Sequence, residues 1–225
     1  MKKRILSILL LCCMVLTLLP TTVLAADGPM DTIPKYDVSI DVYNRTSDIS
    51  IKDSRSYYIY SSVPDKLRDT WAWDKKIFIK GDKTAPHVFI DGVNIEMSPS
   101  SKGPAIELNK KASAYLYFIG KDSTLQGADG RAAIQKNRSE GQLYVLARTG
   151  TTVTCKGGYR AAGIGGSWAI RNIGDSMFNM DMYGHGVNMH FCSQSNPDYW
   201  GGTINATGGE YGAGIGAGSW GHSGH

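Results

Sequence analysis

The sequence predicts an all-β protein, a three-sided solenoid with coils of about 28 residues and a short strand on each side. Three observations carry that expectation. First, the tract from Thr152 to Gly166 returns from Thr203 to Ala217 at a constant offset of 51, with a β-branched residue, a Gly-Gly turn and an Ala-Gly-Ile-Gly in fixed order. Second, apolar columns advance by nearly equal steps: Ile106 to Ile134 to Ile164, Phe118 to Val145, and Leu125 to Val153. Third, 19 of the 27 glycines fall from Gly150 onward, interleaved with Ile, Val and Trp at fixed positions. Fixed-period self-similarity is the signature of units that bury their apolar face only against neighbours. Stacked coils place like residues one strand spacing apart, about 4.8 Å, and each buried Ile or Val contributes roughly 1.5–3 kcal/mol.

The first 25 residues read as an export signal. Lys2, Lys3 and Arg4 precede an apolar run from Ile5 to Leu19, and Val23-Leu24-Ala25 supplies small residues for cleavage after Ala25. The run is short for a membrane span and ends at Pro20. Cys12 and Cys13 follow Leu11 and Cys12, where a lipidation site would have a small residue. Export without a retained membrane anchor is therefore expected.

Cleavage also settles the charge. The chain has 24 basic and 20 acidic residues, and losing the three in the signal leaves a near-neutral mature protein. Nothing in that balance favours nucleic acid or an anionic membrane as partner. Cys155 and Cys192 survive cleavage; they form one bridge or stay as thiols, and two cysteines are no disulfide framework.

Residues 26 to 35 read as a leader and 36 to 225 as the β-helix domain. Its early strands alternate with period two: Val38-Ser39-Ile40, Ile49-Ser50-Ile51, Tyr58-Ile59-Tyr60, Ile77-Phe78-Ile79, Val88-Phe89-Ile90 and Val93-Asn94-Ile95. Pro64 to Trp73 has room for a helical turn or two. The 51-residue step exceeds one coil and fits either one coil with an insertion near 167 to 200, the favoured reading, or two shorter coils; Met177 to Tyr183 alternates and suits a return strand or added hairpin. The chain stops at His225, soon after the Ala213-Gly214-Ile215-Gly216 tract and with no capping segment, so a longer, C-terminally truncated parent is expected.

The segment Gly202 to Gly218 resembles a repeat of exported carbohydrate-binding-domain or adhesin-like proteins of gram-positive bacteria. Val88 to Ile95, Pro104 to Leu108 and Ser123 to Leu125 are similar to their preceding coils. The resemblance spans roughly residues 36 to 221. It implies a right-handed parallel β-helix like that of pectate lyases and a cell-surface location, and it brings no ligand residues with it.

Four groups of residues are candidates for chemistry. Gly184-His185-Gly186 is similar to a motif of β-helical polygalacturonate hydrolases, but those need clustered carboxylates. Here no adjacent Asp pair exists, Asp175 and Asp181 are isolated, and neither Arg nor Lys follows His185. A lyase would need Asp91, Glu107, Asp122 and Asp129 to gather on one face; otherwise they are solvated edge carboxylates, and a Ca²⁺ site is left open. His185, His190, Cys192, His222 and His225 are zinc-type ligands at spacings that match no closed site. The fourth group is aromatic. Trp71 and Trp73 sit early, Trp168 and Trp220 follow Ala-Gly-Ile-Gly corners, and Tyr199-Trp200 precedes a Gly-Gly corner.

Exposed flat rings stack on sugars, whereas buried ones cover coil ends or pack on the insertion. The expected function is polysaccharide binding without catalysis or cofactor, through Trp168, Trp200, Tyr211 and Trp220. The partner is a polysaccharide or cell-surface glycan, with no nucleic acid and no membrane. The alternatives are a structural stalk or adhesin segment and a pectin-type lyase or hydrolase.

Overall fold

A computed structural model describes residues 34–101, 103–109, 111–136, 140–168, 186–191 and 199–219. The chain winds through short strands coil by coil. The first coil has β1 (Val38–Asp41) and β2 (Ile49–Ile51), and the second β3 (Ser56–Tyr60) and β4 (Ile77–Lys80). The third has β5 (His87–Asp91), β6 (Ile95–Glu96) and β7 (Ile106–Asn109). The fourth has β8 (Ala114–Ile119), β9 (Ser123–Gln126) and β10 (Ile134–Lys136). The fifth has β11 (Leu143–Ala147), β12 (Thr152–Lys156) and β13 (Ile164–Gly165). The sixth has β14 (Met189–His190), β15 (Thr203–Thr207) and β16 (Ile215–Gly216).

Every strand pairs parallel with its counterparts in the neighbouring coils, which generates three sheets. Side 1 is β1-β3-β5-β8-β11-β14, side 2 is β6-β9-β12-β15, and side 3 is β2-β4-β7-β10-β13-β16. This is the three-sided parallel β-solenoid expected from the sequence. From the third coil onward each coil has all three sides.

Period-two alternation puts one face of each strand inside the tube. On side 3 the inward column is Ile49, Ile77, Ile106, Ile134, Ile164 and Ile215, all in register. The first five are at most 2% exposed. Val88, Leu116 and Val145 form an equivalent column on side 1, and Leu125 and Cys155 on side 2. Together they make one continuous core.

The expected columns need two corrections. Phe118 pairs with Ala147 and Val145 with Leu116. Leu125 pairs with Cys155 and Val153 with Ser123. Each expected pairing was two residues out. A slip of two leaves every side chain on the same face, so hydrophobic alternation does not penalise it. The corner turns fix the register instead.

At those corners the coils approach closely. A Cβ on Gly158 would collide with the carbonyl oxygen of Ala128 in the coil below, so only glycine fits there. The second coil lacks a side 2 strand. Trp73 takes its place: it bridges Ile95, its N–H donates to Asn94 O (2.8 Å), and its indole Nε1 donates to Arg45 O (2.7 Å). Trp73 is 3% exposed, and Trp71 packs against the core with its ring edge-on to Tyr43. Both are packing residues. The short helical turn expected nearby is a 3-10 turn at Asp65–Leu67.

Met177 to Tyr183 lies outside the described residues, and the side 1 strand of the sixth coil is Met189–His190.

Candidate functional site

Coils four, five and six make the corner between sides 2 and 3 with the same turn, at 127–133, 157–163 and 208–214. Its fourth residue is left-handed in all three: Gly130 (φ 72°), Arg160 (φ 61°) and Tyr211 (φ 64°). Glycine adopts that conformation freely, while an L side chain costs roughly 1–2 kcal/mol there. Two of the three coils carry that cost, and such strain gathers where a side chain must be aimed.

The aimed side chains meet. The Arg160 guanidinium lies 4.9 Å from the Tyr159 ring, 5.0 Å from Trp168 and 5.8 Å from Tyr211. Tyr159 meets Trp168 edge-on at 6.4 Å. The backbone locks the arrangement. Arg160 N–H donates to Glu210 O (3.0 Å), Ser219 N–H donates to Arg160 O (2.8 Å), and Trp168 N–H donates to Gly130 O (3.0 Å). Tyr211 is 70% exposed and Tyr159 38%. Arg160 Nε is buried without a hydrogen-bond partner among the described residues. No carboxylate there forms an ion pair with Arg160. The cluster therefore offers the exposed rings of Tyr211 and Tyr159 beside a guanidinium that none of the described carboxylates pairs with.

Two sequence candidates, Trp168 and Tyr211, are thus brought together, with Arg160 between them. Trp200 is elsewhere. It is half-buried at the corner between sides 1 and 2, 5.1 Å from the Tyr117 ring, and packs on the outer cluster of Tyr58, Phe89 and Ile119. Trp220 lies outside the described residues.

Sequence reasoning missed the other large aromatic group. Outward positions on side 1 form a column of His87, Tyr115, Tyr144 and His190. Successive rings stack at 4.6, 4.5 and 4.5 Å. A parallel column puts Phe89 on Tyr117 at 4.9 Å. Steps of 28 and 29 residues from His87 to Tyr115 to Tyr144 were the available signal. Tyr115 and Tyr144 each have both faces covered by neighbours, so they show edges and hydroxyls but no sugar-stacking face. Burial pushes the Tyr117 hydroxyl up to about 12. Burial, then the hydrogen bond to Asp91 (2.8 Å), raises that of Tyr58. This ladder is a structural stack.

The carboxylates are dispersed. Asp91 and Asp122 lie at the corner between sides 1 and 2, Glu107 on side 3 and Asp129 at the corner between sides 2 and 3. Asp91 accepts from Tyr58 Oη and from Lys121 N–H (2.9 Å), Asp122 from Thr152 N–H (2.7 Å), and Glu107 pairs with Lys76 Nζ (2.7 Å). Among the described residues no three His, Cys, Asp or Glu side chains are grouped to hold a metal ion. His190 faces Gln142 Oε1 at 2.7 Å. His185, Cys192, His222 and His225 lie outside the described residues, as do Asp175 and Asp181. Cys155 is a buried thiol that desolvation pushes up to about 12.

Compared with known proteins, the chain matches no family model, no curated protein and no solved structure.

Proposed function

We propose that this chain is an exported, cell-surface polysaccharide-binding solenoid of the adhesin type, acting without catalysis. Its sugar contact is the corner formed by Tyr159, Arg160, Trp168 and Tyr211. The observation that carries this reading is Tyr211: a ring 70% exposed, on a residue in a left-handed turn, beside the Arg160 guanidinium. An aromatic ring placed so loses burial and costs backbone energy, which a ligand stacked on its face would offset. In this reading the terminal guanidinium nitrogens of Arg160, not its buried Nε, donate to sugar hydroxyls beside the ring. The basic n-region and apolar run at the start of the chain support export.

The test is retention of the purified chain on insoluble glycans and on a glycan array. Tyr211→Ala and Trp168→Ala should each weaken affinity roughly two- to tenfold, from about 0.5–1.5 kcal/mol per aromatic contact. No retention on any glycan, or variants that bind like the wild type, would sink the reading. A structural stalk is the second reading. The side 1 ladder favours it, since those rings spend their faces on one another.

A further inference from the structure

The corner described above is the exit of β15, and the entry of the same strand carries a second cluster of the same make-up. There the Arg148 guanidinium lies 5.3 Å from the Tyr199 ring, which meets Trp200 edge-on at 4.6 Å. The backbone pins it: Thr149 N–H donates to Tyr199 O (2.9 Å), Gly201 N–H to Thr149 Oγ1 (3.1 Å) and Gly202 N–H to Ala147 O (3.0 Å). At each corner an arginine of the fifth coil meets a tyrosine of the sixth: Arg148 with Tyr199, and Arg160 with Tyr211.

Between the corners the outer surface of side 2 at these coils is polar with one charge, the exposed Lys156 in register with Thr207. Thr203, Asn205 and Thr207 are exposed, alternating with inward Ile204 and Ala206. Thr152 and Thr154 of β12 stand in register with Thr203 and Asn205. Hydroxyls and an amide supply donors and acceptors together, the combination a sugar hydroxyl needs. The five residues of β15 span about 16 Å at a rise of ~3.3 Å each. One sugar ring cannot touch both corners, whereas a chain of several can.

We infer that the outer face of side 2 at the fifth and sixth coils is one extended site for an oligosaccharide. The sugar chain lies along β15, across the solenoid axis, with an Arg–Tyr pair holding each end. This inference rests on the carbohydrate reading and adds to it the length and direction of the ligand. Linking two weak contacts on one polymer multiplies affinity without any new contact type.

The experiment is calorimetric titration of the full chain with cello-, xylo- and manno-oligosaccharide ladders, from the mono- to the hexasaccharide. Affinity should rise at least about tenfold between the di- and hexasaccharide of the ladder that binds. Tyr199→Ala should erase that rise and leave disaccharide binding intact, while Tyr211→Ala weakens every length. Asn205→Ala, at an exposed strand position that does not threaten folding, should also lower only the affinity for longer sugars. Disaccharide binding with a flat length dependence, or a rise that survives both Tyr199→Ala and Asn205→Ala, overturns the extended site and leaves the corner standing. No binding to any member of the ladders overturns both.

Discussion

Tyr211→Gly separates a ligand-facing ring from a structural one. Two terms lower its stability. Losing the contact with Arg160, 5.8 Å from the ring, costs about 0.5–1 kcal/mol at an exposed site. The freer unfolded chain of glycine costs about 0.4–1 kcal/mol more. One term raises it: relief of the left-handed backbone, φ 64°, contributes about 1–2 kcal/mol. Little burial is lost from a residue 70% exposed. The balance is near zero, within about 1 kcal/mol. Gly130 already fills the equivalent turn position two coils below, at φ 72°, so the turn accepts glycine. Tyr211→Ala loses the same ring without relieving the backbone and should be less stable than Tyr211→Gly by about 1 kcal/mol. Both should lose glycan retention equally. The assay is urea unfolding followed by tryptophan fluorescence, paired with retention on any glycan that retains the wild type in the screen proposed above. If Tyr211→Gly unfolds with a loss above about 2 kcal/mol, or keeps full retention, then the ring serves the fold and the strain argument fails.

Two further outcomes test the frame around the site. Ile134→Ala should cost about 2–5 kcal/mol, because Ile134 is fully buried mid-column, whereas Ile215→Ala, at a position 46% exposed, should cost less than about 1 kcal/mol. Equal losses in denaturant titrations would contradict the stacked column. Lys136 is buried in the inward column above Leu108, and desolvation lowers it to about 8, below its ordinary 10.5. Between those two values the unfolded chain binds more protons than the folded one, so this group makes stability rise with pH across that window. Any stability advantage of Lys136→Met over the wild type should therefore shrink from pH 8 to pH 10, and a constant difference over that range would refute the assignment.

Much of the fold was legible because parallel stacking repeats a pattern that one chain must obey six times. The isoleucine column of side 3 needed no structure: Ile106, Ile134 and Ile164 are in register, as are Ile164 with Ile215 and Val153 with Ile204. The pairings of Phe118 and Leu125 were not legible to the residue. Alternation has period two, and a shift of two is invisible to it. Outward aromatics were missed for a related reason. Tyr115 and Tyr144 repeat as regularly as the core, but on the face where the sequence suggested no packing, and their partners are one another. Trp73 has the same large flat ring as the candidate tryptophans, and sequence alone does not separate a packing ring from a contact ring. Its indole N–H and its bridge to Ile95 make it the substitute for a missing strand.

The clearest functional signal lies where the repeat breaks its own chemistry. At the left-handed turn position the fourth coil has glycine, the residue that backbone energetics prefer. The fifth has Arg160 and the sixth Tyr211, and these are the two coils whose side chains converge. A sequence consistent at every level would have kept glycine three times, so departure at a strained position marks a demand other than folding. Aligning the three turns at Gly130, Arg160 and Tyr211 exposes that departure in the sequence itself. Only the coordinates bring Trp168 back over the turn to meet Arg160, because its backbone N–H bonds to Gly130 O in the fourth coil. The strain marks the proposed contact, and the return of the chain after β13 brings Trp168 to it.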